Sequence, residues 1–394
     1  MPTHEQSGAR PAALIALALA AFNLRTPLTS VPTVIADIRT ATGLGDVALG
    51  ALTTLPILAM GLLAVLVPAF AARFGATRAV WFGLMTLLVA NALRLAAENL
   101  VVLTLSVLLA GVGIAIVGGL VPGIVKAQLP GRIGIVTGLW TSVMSGGAAL
   151  GAAATVPIGT AFGSWQSGLA IWALPALLAV VVWGLVERPH RQPALPAARP
   201  AFADLPWRDR TAWWLTLFIA ANSFAFYSGV AWLADSFSAH GMTQTASGLL
   251  LGLFTASGIV AAFIGPPLLQ RARRRVLLLE LAIGITALGL LGLAFAPMSL
   301  SPVWVIAFGG VNTGWFAMGL AMIGWLTPDG DAAARLTAMV YTVVYCVAAL
   351  GPVLCGWLLH ISGSWTLLYA LLAAVCSLPA FAAPTLVRHM RTER

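Results

Sequence analysis

The sequence predicts an all-α integral membrane protein, with twelve transmembrane helices in two parallel, pseudo-symmetric six-helix bundles. Three observations predict it. Hydrophobic residues make up 60% of the chain and charged residues 8%, with a mean hydropathy of +0.96, a composition suited to lipid as solvent. Apolar runs long enough to cross a bilayer recur along the whole chain, with basic residues in alternate breaks. The two halves also repeat one another at a nearly constant offset.

The first six runs lie near 11–35, 47–70, 79–97, 100–124, 133–159 and 168–186. Six more lie near 211–234, 245–269, 276–296, 302–326, 336–359 and 365–387. A polar segment rich in proline and arginine separates them, giving a first half 1–186, a linker 187–210 and a second half 211–394. The first run has an Ala18-Leu19-Ala20 stretch like a signal-peptide cleavage site, but its leading region holds only Arg10, and many spans follow. It reads as an uncleaved helix.

The charge pattern sets the orientation. All but three (Arg25, Arg39 and Arg94) of the 21 lysines and arginines fall in the tails and in every second loop. By the positive-inside rule, that side and both termini are cytoplasmic. The opposite loops carry a sparse mixture: Asp37, Arg39, Asp46, Glu98, Asp235, His240 and His360. The net charge of +9 is therefore topological and does not indicate a nucleic-acid surface.

The repeat is visible residue by residue. Ala148-Ala149-Leu150-Gly151 recurs as Ala348-Ala349-Leu350-Gly351, and Gly163-Ser164-Trp165 as Gly363-Ser364-Trp365. Earlier in each half the offset is 198, pairing Asp37 with Asp235, Gly43 with Gly241, and Gly50 with Gly248. Six spans per repeat is an even number, so the halves are parallel and imply a cleft between them near the membrane midplane.

Span one holds the most expensive residue in the chain. Arg25 stands some 14 residues into an apolar run, about 21 Å deep at 1.5 Å per residue. Even a mild insertion scale charges about 2.5–3.5 kcal/mol for a central arginine, so its head belongs on protein, water or an anion. The neighbouring Pro27 and Pro32 leave carbonyls unpaired, which also favours a cavity-facing helix. Two readings stay open: Arg25 binds an anionic substrate, or it caps carbonyls around Pro27 or pairs with a distant acid.

The chain is similar to the major facilitator superfamily, and within it resembles the cyanate and nitroimidazole transporter family. The likeness runs through Asn23-Leu24-Arg25-Thr26-Pro27-Leu28-Thr29-Ser30-Val31, Ala51-Leu52-Thr53-Thr54-Leu55-Pro56 and Gly111-Val112-Gly113-Ile114 through Pro122-Gly123-Ile124-Val125-Lys126. It continues in Gly138-Leu139-Trp140-Thr141-Ser142 with Gly146-Gly147, and in Trp172-Ala173-Leu174-Pro175. After span two, Arg73-Phe74-Gly75 and Arg78 look like the remnant of the superfamily's loop, but Ala72 stands where its acidic residue usually is. The resemblance implies a secondary transporter of a small polar or anionic solute, working by alternating access.

Candidate substrate-binding residues follow from depth and spacing. Arg25 leads, since a guanidinium holds a small anion through charge-assisted, often bidentate bonds. Thr29 shares its face at i+4, whereas Asn23 is about 200° round the helix. Trp140 in span five is either pocket wall or packing. The second half offers Asn222, Phe226 and Tyr227 in span seven, Asn312 and Trp315 one turn apart in span ten, and Tyr341 with Tyr345 in span eleven. For the amides and tyrosines the alternative is interhelical hydrogen bonding. At the 198 offset Arg25 corresponds to Ser223, so the site holds one cation and a monoanion suits it. Arg94 and Glu98, four residues apart, read as an interfacial ion pair, and Gly146-Gly147 and Gly309-Gly310 as points of close helix approach.

No catalytic, cofactor or metal constellation is expected. The five histidines lie near tails or loops, and Cys346, Cys355 and Cys376 lie in apolar runs without ligand spacing. The expected partners are a small-molecule substrate and the lipid bilayer, with the chain a monomer. Proton or ion coupling, if present, involves the substrate's own charge or peripheral acids, because no acid lies near mid-depth in spans one, four, seven or ten. The competing function is efflux of nitroimidazole-like or other flat aromatic drugs, for which the aromatic set would serve as a stacking surface.

Overall fold

The computed structural model describes residues 5–63, 66–128, 133–186, 205–328 and 330–390. Linker residues 187–204, together with Arg132, Arg391 and Arg394, lie outside the described residues. Among the described residues there is no strand, and twelve helical stretches are long and apolar enough to cross a membrane.

The first half contains α1 (Glu5–Thr33), α2 (Ile35–Thr42), α3 (Asp46–Leu63), α4 (Val67–Phe74), α5 (Ala76–Leu93), α6 (Leu100–Gln128), α7 (Ile133–Ala161), α8 (Trp165–Ala170) and α9 (Ala173–Val186). The second contains α10 (Arg210–Ala239), α11 (Gln244–Arg271), α12 (Arg275–Phe295), α13 (Ser301–Leu326), α14 (Gly330–Ser362), α15 (Trp365–Ser377) and α16 (Ala383–His389). Span one is broken at Val34 between α1 and α2, two residues after Pro32, whose missing amide cannot reach the carbonyl of Leu28. Span six divides into α8 and α9 just before Pro175.

Helix boundaries repeat along with the sequence. Gly163 and Gly363 have φ of 75° and 60°, in the left-handed region where a side chain would be strained. Each precedes a serine N-cap: Ser164 Oγ accepts from the Ser167 amide, and Ser364 Oγ from the Leu367 amide. Gly43 and Gly241 have φ of 69° and 90° at the earlier offset.

The chain divides into two compact units, one of Met1–Leu44 with Leu58–Ala197, the other of Gly45–Ile57 with Ala198–Arg394. Most of α3 thus groups with the second unit, where it packs on α14. Thr54 Oγ1 donates to the Ala349 carbonyl at 2.7 Å. A Cβ on Gly50 would meet the Pro352 carbonyl oxygen at 2.5 Å, and one on Gly356 would collide with the Asp46 carbonyl.

Within each unit the same seam recurs. In the first, α1 lies on α7: a Cβ on Gly147 would collide with the Phe22 carbonyl, and one on Gly151 would meet Thr29 Oγ1 at 2.7 Å. In the second, α10 lies on α14, with Gly351 against Ser228 Oγ and the Phe224 carbonyl. Gly309 likewise admits the Phe254 backbone of α11 to α13, whereas Gly146 has open space beside it. Small residues on these faces let helices approach closely where lipid supplies no hydrophobic drive.

Candidate functional site

In the first unit, the polar side chains of α1 divide by direction. Asn23 is buried and its amide donates to the Leu19 carbonyl at 2.8 Å and the Pro175 carbonyl of α9 at 3.1 Å. Thr26 Oγ1 donates to the Phe22 and Gly147 carbonyls at 2.7 and 3.2 Å. Thr29 Oγ1 reaches the Ala148 carbonyl of α7 at 2.8 Å, so the hydroxyl grouped with Arg25 by spacing is used in the α1–α7 seam. Arg25 itself is half-buried, unlike Asn23, Leu24 and residues 26–30. Trp140, on α7, is also half-buried.

The expected Arg94–Glu98 ion pair is not what forms. Arg94 is fully buried, and its hydrogen bonds go to α1: Nη1 donates to Ser30 Oγ at 3.1 Å and Nη2 to the Pro27 carbonyl at 3.2 Å. Glu98 Oε1 instead accepts from Gln166 Nε2 of α8 at 2.9 Å. The i,i+4 rule assumes a continuous α-helix, and α5 ends at Leu93, with Arg94–Ala96 in a tighter 3-10 turn. Arg94 thus bonds the carbonyl of Pro27 itself, one of the carbonyls that the capping reading of Arg25 had named. The only sign of it in the sequence is its place among the three cations that break the loop pattern.

The second unit brings several expected residues together. Asn222 Nδ2 of α10 donates to the Asn312 backbone carbonyl of α13 at 2.7 Å. The Asn312 side chain is fully buried with neither amide atom hydrogen-bonded, and one turn on, the Trp315 indole N–H is also buried without a partner. The Trp315 ring meets Phe218 of α10 edge-on, centroids 5.3 Å apart. Phe226 stacks on Phe254 at 5.4 Å and stands perpendicular to Tyr227 at the same distance. Tyr341 and Tyr345 stack with planes 14° apart and centroids at 5.7 Å. Phe226, Tyr341 and Tyr345 are half-buried; Tyr227 is buried.

Of the candidate residues, the first unit holds Arg25 with Asn23, Thr29 and Trp140, and the second holds Asn222, Asn312 and the remaining aromatic rings. Among the described residues no cluster of histidine, cysteine or carboxylate would hold a metal ion, and the three cysteines are free thiols. Asp235, near the end of α10, is 6% exposed.

Known proteins share this architecture. Residues 13–314 match the family model of the Major Facilitator Superfamily. The 2-nitroimidazole transporter of Escherichia coli (strain K12) is 30% identical over 361 residues, 91% of either chain. The cyanate transport protein CynX of the same organism is 30% identical over 362 residues, 91% of this chain and 92% of that one. Among solved structures, a bacterial homolog of the human lysosomal transporter Spinster, inward-facing and unoccupied, superposes with a TM-score of 0.79 at 16% identity, covering 98% of this chain and 99% of the other. By its family match, its relatives and its twelve-helix fold, the chain belongs to the major facilitator superfamily and is a multi-pass membrane transporter of small solutes.

Proposed function

We propose that the chain carries a small monoanion, of the cyanate, carboxylate or oxyanion kind, across the bacterial cytoplasmic membrane by alternating access, with Arg25 as the anion's ligand. The observation that carries this reading is the contrast along α1. Asn23, Thr26 and Thr29 are buried in hydrogen bonds to their own helix and its neighbours, whereas Arg25 stays half-exposed. Asn23 and Thr29 then hold the helix that presents Arg25, and Trp140 walls it. In the second half, Asn222, Phe226, Tyr227, Asn312, Trp315, Tyr341 and Tyr345 are the candidate uncharged ligands.

The likeness to a cyanate transport protein supports a compact monoanion. In this reading residues 1–186 and 211–394 are the moving halves, the chain works as a monomer, and its termini are cytoplasmic. Coupling is carried by the substrate's own charge or protonation. A pH-gradient response that Asp37→Asn with Asp235→Asn abolishes would sink that version.

The test is uptake of radiolabelled cyanate into proteoliposomes. Arg25→Ala should reduce it by roughly 10- to 100-fold, as expected for loss of a charge-assisted contact of about 1.5–3 kcal/mol. Uptake near the wild-type rate would remove Arg25 from the site.

A second reading, efflux of a flat aromatic solute, has a specific observation behind it. The Tyr341–Tyr345 stack and Phe226, which stacks on the buried Phe254, offer half-buried π-faces, and one relative is a 2-nitroimidazole transporter. Efflux of that kind survives Arg25→Ala and fails on Tyr345→Ala.

A further inference from the structure

We propose that Arg94 is a positioning residue for Arg25, holding the proline-interrupted turn of α1 that follows it. The proposal rests on the anion-binding reading of Arg25.

Pro27 and Pro32 lack amide donors, so the Asn23 and Leu28 carbonyls have no i+4 helical partner and the turn between them is less constrained than in an uninterrupted helix. Arg94 grips the turn between the two prolines at two points: Nη2 donates to the Pro27 carbonyl and Nη1 to Ser30 Oγ, at 3.2 and 3.1 Å. A guanidinium is planar, so its two donors leave in set directions and restrain both rotation and axial slip of the turn they grip.

That turn starts two residues after Arg25, and the Arg25 carbonyl is itself tied to Thr29 Oγ1 at 3.3 Å. The direction of Arg25 is therefore inherited from a segment whose position Arg94 sets. A lysine at 94 keeps the charge but offers no fork, and a neutral residue avoids the cost of a buried cation at the loss of the grip. The Glu98 carboxylate, bonded to Gln166, leaves Arg94 to α1.

The experiment measures the cyanate dissociation constant and the melting temperature of purified full-length protein for Arg25→Ala, Arg94→Lys and Ser30→Ala. Ser30→Ala removes one acceptor while sparing Arg94, so it keeps the test valid if the Arg94 variant fails to fold. Expected is loss of cyanate binding in Arg25→Ala, and a rise of about three- to tenfold in the constant for each folded variant of the Arg94 contact. For Ser30→Ala the melting temperature should stay within a few degrees of wild type, since a single hydrogen bond is removed.

If Arg25→Ala loses binding while Ser30→Ala and Arg94→Lys bind cyanate within twofold of wild type, the positioning role is overturned and the Arg25 site stands. The positioning role also fails if the constant rises only where the protein is partly unfolded. If Arg25→Ala binds normally, the site reading fails and takes this proposal with it.

Discussion

The two units are built alike and equipped differently. In each, the first helix lies on the fifth span through a glycine seam, and a glycine–serine pair starts the last span. The polar side chains do not follow that symmetry. The first unit buries Arg94 and half-buries Arg25, and the second, where Arg25 has Ser223 as its counterpart, gathers amides and aromatic rings. The repeated features are those that make helices start and touch, which any membrane bundle of this shape requires. The features that differ are the polar and aromatic side chains on which the proposed function rests.

Breaking the shared seam gives the largest effect, and the two sides should not respond equally. In Gly147→Ala the new methyl meets the Phe22 carbonyl, a backbone atom that cannot turn away. In Gly351→Ala its nearest neighbour is the Ser228 hydroxyl, which can rotate, with the Phe224 carbonyl next at 2.9 Å. Thermal unfolding in detergent should show about 3 kcal/mol lost for the first and about 1 kcal/mol for the second, the range typical of overpacking. Equal losses would show that the two seams are not distinguished by backbone contact.

The unmatched chemistry comes next. Asn312→Leu removes two buried amide atoms that lack partners, with the same number of side-chain heavy atoms, and should raise stability by about 1–3 kcal/mol. If Asn312 serves the solute, transport falls in the same variant. A destabilised Asn312→Leu would mean that its amide is already satisfied in the working protein. The interhelical bond from Asn222 is smaller: Asn222→Ala should cost about 0.6–1.7 kcal/mol by the same unfolding assay, as membrane hydrogen bonds generally do.

The serine caps sharpen the comparison at its mildest point. Ser164→Ala and Ser364→Ala each remove one side-chain acceptor at a helix start, and each should cost about 1 kcal/mol. Values differing by more than a factor of two would mean that the repeated capping motif has come to bear different loads in the two units.

Much of the fold is legible in the sequence. Span number, the repeat and its offset, and the glycine contacts at Gly147 and Gly309 are local or periodic properties, and hydropathy and turn chemistry report them directly. The nomination of Arg25 is legible too, because depth within an apolar run is a count of residues. The break at Val34 is only half legible: Pro27 and Pro32 announce an interrupted helix, and the position of the interruption comes from packing.

What the sequence by itself determined, then, is the solvent, the twelve spans and their doubling, since each follows from residue type and spacing along one chain. Tertiary structure alone decided who bonds to whom. Arg94 and Glu98 are neighbours in sequence, but a 3-10 turn rotates them apart, and each finds its partner on another helix. Asn23 and Arg25 stand two residues apart, yet one is buried against α9 and the other remains half-exposed. A helix of period 3.6 points its side chains in every direction, and only the placement of neighbouring helices settles which directions are seams and which are not.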